Sequence, residues 1–414
     1  MIRRLDGIFG HRVAAPQRTV GLVGLDPDGW AAQTLAGFVG SVALSPLMLL
    51  PVLVYAYDVK LGFGPDTAGR ISSAALLGLA MATVLVSLRT KHWSMGRVSV
   101  VGMALMLFFS AMSLVLQDLT SFFLLTFLAG FGGGLAQAAV SAALARTQRS
   151  ERAFAIFTCF QFVYPGLGAW FLPSLLEGGW GFDVLLLCQM ALIVAALGLA
   201  PVVGAFRLRA ELLAADQEPH PDQMEWALLL HLPAALSTIG FMIYGASNGA
   251  IWAYSEGIGR LSGLDVTQIS NIIALANVIA GVAALGVIWL GNRLGHFIPL
   301  IVGILAQLLS IWILVTFQSG AGFLLGTMIF TIAWAVVFPY FLSIQSDLDH
   351  SGTVVAFGQF TNLIGTAAGP SIAAYVLGGD GDYVSAMNIS MWMTVLALVP
   401  MIAILIIRRR RLGH

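Results

Sequence analysis

Charge is what this sequence has least of. Of 414 residues, 20 are Lys or Arg and 20 are Asp or Glu, 10% in all, against roughly 25% in an ordinary globular protein. A soluble fold of this length needs more polar surface to cover its core, and a disordered chain needs more still. Both classes are excluded. The two signs balance, so no net field gathers nucleic acid or acidic substrates. Cysteine is nearly absent too. Cys159 and Cys188 lie in apolar stretches, which argues against a disulfide framework and against a cysteine-based metal site. The short alternation of barrel strands is missing, since apolar runs here continue for about 20 residues. What fills the chain instead is 58% hydrophobic residues and 46 glycines. Such a chain is an all-α polytopic membrane protein.

A bilayer core about 30 Å thick takes roughly 20 apolar residues per helix. By that measure twelve transmembrane helices are predicted, near 31–57, 68–88, 97–116, 121–144, 153–175, 182–205, 226–254, 267–290, 298–316, 321–344, 353–377 and 384–407. The first thirty residues are polar and hold Arg3, Arg4, Arg12 and Arg18 without a cleavable apolar run, so a removable signal peptide is not expected. With the N-terminus in the cytoplasm, 17 of the 20 basic residues fall on the cytoplasmic side, the run Arg408 to Arg411 included. Lys60, Arg70 and Arg260 remain outside. The positive-inside rule requires this asymmetry, and a miscounted span would scramble it. Both termini are therefore expected in the cytoplasm, with a bacterial inner membrane as the expected location.

The longest internal connection carries Glu211, Asp216, Glu218, Asp222 and Glu225 and divides the helices six and six. The expected organisation is a cytoplasmic segment at 1–30, a six-helix bundle at 31–205, a linker at 206–225, a second bundle at 226–407 and a basic tail at 408–414. Moving the second half back by 197 to 200 residues superposes four local patterns. Ala56-Tyr57-Asp58 meets Ala253-Tyr254-Ser255-Glu256, and Asp66…Ile71-Ser72 meets Asp265…Ile269-Ser270. Phe123-Leu124-Leu125 meets Phe323-Leu324-Leu325, and Gln161-Phe162 meets Gln359-Phe360. The pattern predicts two pseudo-symmetric six-helix bundles, the parallel repeat found in some transporters.

In this arrangement the chain resembles the major facilitator superfamily over essentially its whole length. The loop between the second and third helices keeps only the closing Gly96-Arg97 of the family signature, with Trp93 at its acidic position. The loop between the eighth and ninth keeps more, Asn292-Arg293-Leu294-Gly295-His296. The fourth-helix signature appears as Thr126-Phe127-Leu128-Ala129-Gly130-Phe131-Gly132, without the arginine that the family associates with proton coupling. Gly365-x-x-x-Gly369-Pro370 in the eleventh helix is similar to a pattern of family antiporters. The resemblance implies transport by alternating access, with the site between the bundles. The missing arginine leaves facilitated diffusion open beside proton-coupled transport.

No acid sits at mid-membrane depth, where a charge is costly and usually functional. A small neutral, zwitterionic or amphipathic organic solute is therefore the expected cargo. Neutral polar groups do collect there: Gln137, Gln161, Tyr164, Tyr244, Asn248, Trp252, Asn277, Trp334, Gln359 and Asn362. They read either as a substrate-binding ring or as hydrogen bonds between helices, worth about 0.6 kcal/mol each. Tyr244, Asn248 and Trp252 repeat every four residues on a helix that lines the cavity in the resembled family. Asp58 and Glu256, related by the internal repeat, are either a coupling or gating pair or hydrated helix ends balanced by Lys60 and Arg260. His231 reads as an interfacial residue about five positions into the seventh helix. No catalytic residue, metal or cofactor is expected. The expected partners are the solute, the lipid bilayer and a proton, not nucleic acid, and the expected state is monomeric. An amphipathic-molecule or lipid flippase of the same fold, or a membrane-embedded lipid-modifying enzyme, are the alternatives.

Overall fold

The structure, a computed structural model, describes residues 25–87, 93–144, 147, 150–176, 178, 181–206, 231–290, 294–348, 353–378 and 381–412. The acidic connection between the bundles lies outside these residues, as do Arg89, Lys91, Arg146, Arg149, Arg207, Arg209 and Arg293.

The described residues form twelve spans and no strands, since a lone apolar segment in lipid satisfies its backbone only as a helix. The first span is broken into Trp30–Ala43, Ser45–Met48 and Leu50–Tyr55, and a π-turn, Ala56–Lys60, carries the chain out of it. The next five are Pro65–Ser87, Met95–Val115, Leu119–Leu144, Ser150–Leu175 and Gly181–Leu199, the last extended by 3-10 turns over Ala200–Phe206. Leu232–Ala253 follows, with a short helix Ser255–Leu261 behind it. Val266–Leu290, Phe297–Thr316, Gly320–Leu348, Thr353–Leu377 and Tyr383–Leu412 complete the set. Eight of the twelve are long and apolar enough to cross a membrane by those criteria alone. The first, fifth, seventh and eleventh are not among the eight. These are two pairs six spans apart, and they carry most of the polar residues singled out from the sequence.

Two sequence expectations change, and four prolines take two different roles. His231 stands at the N-cap of the seventh helix, exposed, rather than inside it; Pro233 suits the first turn, where a missing N–H costs nothing. Pro165 and Pro173 lie within one continuous helix, whereas Pro46 and Pro51 each begin a new one. The repeat in the fourth and tenth spans is offset by 201 residues, not 200. At 201, buried Phe122 meets buried Phe323, exposed Leu124 meets exposed Leu325, and buried Thr126 meets buried Thr327. A shift of one residue turns a helix by about 100°, so burial fixes the register where composition does not.

The loop Leu294-Gly295-His296 explains its own glycine. Gly295 has φ +68°, a left-handed conformation that residues with a Cβ resist. The turn sets His296 Nδ1 2.9 Å from Asp347 Oδ2 at the end of the tenth span.

At the end carrying Asp58 and Glu256, a single apolar core mixes both halves, with Tyr55, Tyr57 and Ile71 among Trp252, Tyr254 and Ile269. Toward the other end it divides. Val39, Met103, Leu135 and Phe157 belong to a buried core of first-half residues, with Leu363 of the eleventh span packed against its edge. Phe241, Ile304, Phe341 and Met401 belong to one of the second half alone.

Candidate functional site

The shared core is where the two halves are joined, and two side-chain hydrogen bonds cross between them there. Proline starts the first of these. The helical partner of the Leu47 carbonyl is the N–H of residue 51, and Pro51 has none. Trp252 of the seventh span donates its indole N–H to that carbonyl across 3.0 Å. Two residues on, the Tyr254 hydroxyl donates to the Pro65 carbonyl at 2.9 Å and lies 3.4 Å from the Pro370 carbonyl. It reaches them because Gly69 leaves room; a Cβ there would overlap the tyrosine hydroxyl.

Beyond Tyr254 the chain turns into Ser255–Leu261, which brings Glu256 and Arg260 over the end of the first span. Tyr55, Asp58, Tyr254, Glu256, Arg260 and Tyr383 line a cavity of about 30 Å³, room for about one water. Arg260 Nε is 3.5 Å from Glu256 Oε1. Its guanidinium lies 4.6 Å above the Tyr55 ring of the other half, a contact worth about 0.5–1 kcal/mol where exposed. Glu256 is 6% exposed; Asp58 is half-buried. Burial raises the Asp58 carboxyl above the ordinary carboxylate value, Arg260 opposes that rise, and Asp66 adds to it. The two acids paired from the repeat thus share one cavity with a cation between the halves. The sequence names Arg260 only as a balancing charge and does not single out Tyr55 or Tyr383, which also line the cavity. The i, i+4 spacing of Glu256 and Arg260 was the available signal for Arg260.

The mid-depth polar residues are dispersed. Asn362 donates to the Phe241 carbonyl at 3.1 Å and so ties the eleventh span to the seventh. Asn248 and Asn277 donate to Tyr244 O (3.2 Å) and Ile273 O (2.9 Å) of their own helices. Gln137 donates to Ser141 Oγ at 3.1 Å. Trp252 and Trp334 meet edge to face at 5.9 Å. Gln161, Tyr164 and Trp334 are half-buried, and Gln359 is exposed. Gln137 Oε1, Tyr164 Oη, Tyr244 Oη and Asn248 Oδ1 are buried without a hydrogen-bond partner among the described residues. Such groups are rare and call for a cause. Gln307 and Gln345, fully buried with both amide atoms in the same condition, were missed in the sequence.

A second polar set is structural. Gln189 donates to Ser45 Oγ at 2.9 Å, joining the sixth span to the first. In the other half Ser247 Oγ donates to Ser390 O at 2.9 Å and sits 2.7 Å from Thr394 Oγ1, joining the twelfth to the seventh. The two clamps join repeat-related pairs of spans.

The family model described as Major Facilitator Superfamily matches residues 30–370. No curated protein matches the sequence. Among solved structures, the chain is similar to the nucleoside transporter NupG, with a TM-score of 0.72 at 15% identity over 90% of this chain and 99% of that one. It is also similar to the peptide transporter POT in complex with sulfate, with a TM-score of 0.68 at 15% identity, covering 95% and 96% of the two chains. At that identity the likeness is one of fold.

Proposed function

The chain belongs to the major facilitator superfamily, and from that premise we propose that it moves a small neutral, zwitterionic or amphipathic organic solute across a membrane by alternating access. The observation that carries the reading is the forked apolar core, common to both halves at one end and separate at the other. Two bundles whose buried cores merge at one end and divide at the other fit one of the two states such a cycle requires. The basic residues of the sequence favour a cytoplasmic location for the parted end, so this state is closed outward and open inward. The bundles are taken as 31–205 and 226–407. The proposed binding residues are Gln137, Gln161, Tyr164, Tyr244, Asn248, Asn277, Trp334, Gln359 and Asn362, with Trp252 at their outer edge. Gln137, Tyr164, Tyr244 and Asn248 each bring a buried polar atom without a partner among the described residues, and a neutral solute with N–H or O–H groups would satisfy these without a buried ion pair.

The experiment is uptake into sealed proteoliposomes of a radiolabelled neutral nucleoside, a zwitterionic dipeptide and a fluorescent phospholipid, with and without a pH gradient. Saturable movement of one class, chemically unchanged, is expected, with Asn248→Leu lowering its uptake by about ten-fold or more. Recovery of a chemically altered product would overturn the reading.

Asp58 and Glu256, with Arg260 between the halves, are proposed as the outer gate. Asp58 holds its proton more tightly in the closed state, where burial raises it, than in a hydrated open state. The closed state therefore binds more protons, and its stability relative to the open state rises as pH falls through the window above the ordinary carboxylate value. Asp58→Asn is expected to remove that dependence of the closed fraction on pH. A pH dependence unchanged by Asp58→Asn would refute the assignment.

A further inference from the structure

The break in the first span has a specific consequence at the junction of the halves. Pro51 withholds the N–H that would otherwise cap the Leu47 carbonyl, and that carbonyl is the one the Trp252 indole takes at 3.0 Å. Trp252 has one donor and is 2% exposed, wedged against Trp334. A buried indole N–H needs an acceptor, and here the acceptor comes from the opposite bundle. We propose that Pro51 and Trp252 form a latch: the proline keeps one backbone acceptor of the first span outside the helical ladder, and the indole closes on it when the outer side shuts.

The chemistry suits a moving interface. A carbonyl already bonded in a helix gains little from a second donor, whereas one freed by proline offers a full bond to whatever arrives. In the closed state the partner is Trp252. When the bundles part and water enters, the partner is water. The acceptor is satisfied in both states, so the proline costs the cycle nothing and the bond to Trp252 becomes a difference between the states, which is what shifts a conformational equilibrium. The latch is distinct from the charged gate: Trp252 and Leu47 do not line the cavity of Asp58, Glu256 and Arg260.

The proposal rests on the alternating-access reading, and the test separates the two. Full-length protein with Cys159→Ser and Cys188→Ser takes spin labels at Leu119→Cys and Gln318→Cys, on the outer ends of opposite halves, and is placed in lipid nanodiscs. The ratio of short to long distances reports the closed-to-open ratio. Trp252→Phe, which keeps an aromatic ring but loses the donor and part of the ring volume, is expected to lower that ratio about five-fold or more, one net hydrogen bond supplying about five-fold of it. Pro51→Ala returns an N–H to the Leu47 carbonyl and is expected to lower it by a similar factor. The double variant is expected to match Trp252→Phe alone, because Pro51→Ala then has no indole bond left to remove. An unchanged ratio in Trp252→Phe, or losses that multiply in the double variant, overturns the latch while leaving alternating access standing. If Pro51→Ala fails to fold, Trp252→Phe alone decides. A single distance in every variant, Gly69→Leu included, overturns both.

Discussion

Gly69→Leu is expected to hold the outer side open and to cut transport about 100-fold while the protein stays folded. A Cβ at position 69 would overlap the Tyr254 hydroxyl and lie 3.0 Å from the Pro370 carbonyl. Both obstacles belong to the second bundle, so separating the bundles relieves the clash without unfolding either one. Overpacking costs about 1–3 kcal/mol, and losing the Tyr254 bond to the Pro65 carbonyl adds about 1 kcal/mol. A total near 3 kcal/mol moves the closed-to-open ratio by roughly 100-fold. Uptake in proteoliposomes measures the loss, and size-exclusion chromatography with thermal melting measures the fold. Full uptake by the variant would show that Gly69 is not at a surface that must close.

Gly365→Leu is expected to act in the opposite way, by dismantling the second bundle. Gly365 and Gly369 of the eleventh span face Met242 and Ala246 backbone carbonyls, and Gly245 and Gly249 of the seventh face those of Asn362 and Thr366. Each helix offers small residues four apart to the backbone of the other, the close-approach pairing of membrane helices. The obstacle at Gly365 is backbone within one bundle, so no rigid rocking relieves it. About 3 kcal/mol or more is expected to be lost, which lowers the melting midpoint by roughly 5–10 °C. A melting midpoint equal to that of the parent protein would contradict the packing. The Gly365-x-x-x-Gly369 pattern, similar in sequence to one from antiporters, thus has a sufficient cause in helix packing.

Much of the architecture was legible because lipid simplifies the physics. Long apolar runs have one backbone solution, which is why the spans were readable despite the polar character of the first, fifth, seventh and eleventh. The pairing of Asp58 with Glu256 was legible through the repeat, and both line one cavity. The rest depended on what crosses between the halves. Trp252 reads as a binding residue on a four-residue period with Tyr244 and Asn248, and only the position of the Leu47 carbonyl shows where its donor goes. Arg260 reads as a charge near a helix end until the Tyr55 ring appears beneath it. Gln307 and Gln345 escaped notice because a lone amide in an apolar helix carries no spacing signal.

The most direct test follows the bundles at both ends of one molecule. One label pair, at Leu119→Cys and Gln318→Cys, spans the outer ends; a second, at Ser94→Cys and Leu294→Cys, spans the inner ends, each in the background lacking Cys159 and Cys188. Introducing Gly69→Leu should lengthen the outer distance and shorten the inner one together, as two rigid halves rock about the region between. If the outer distance lengthens while the inner one stays the same or lengthens too, the halves are coming apart rather than exchanging access, and the transport cycle described here is wrong.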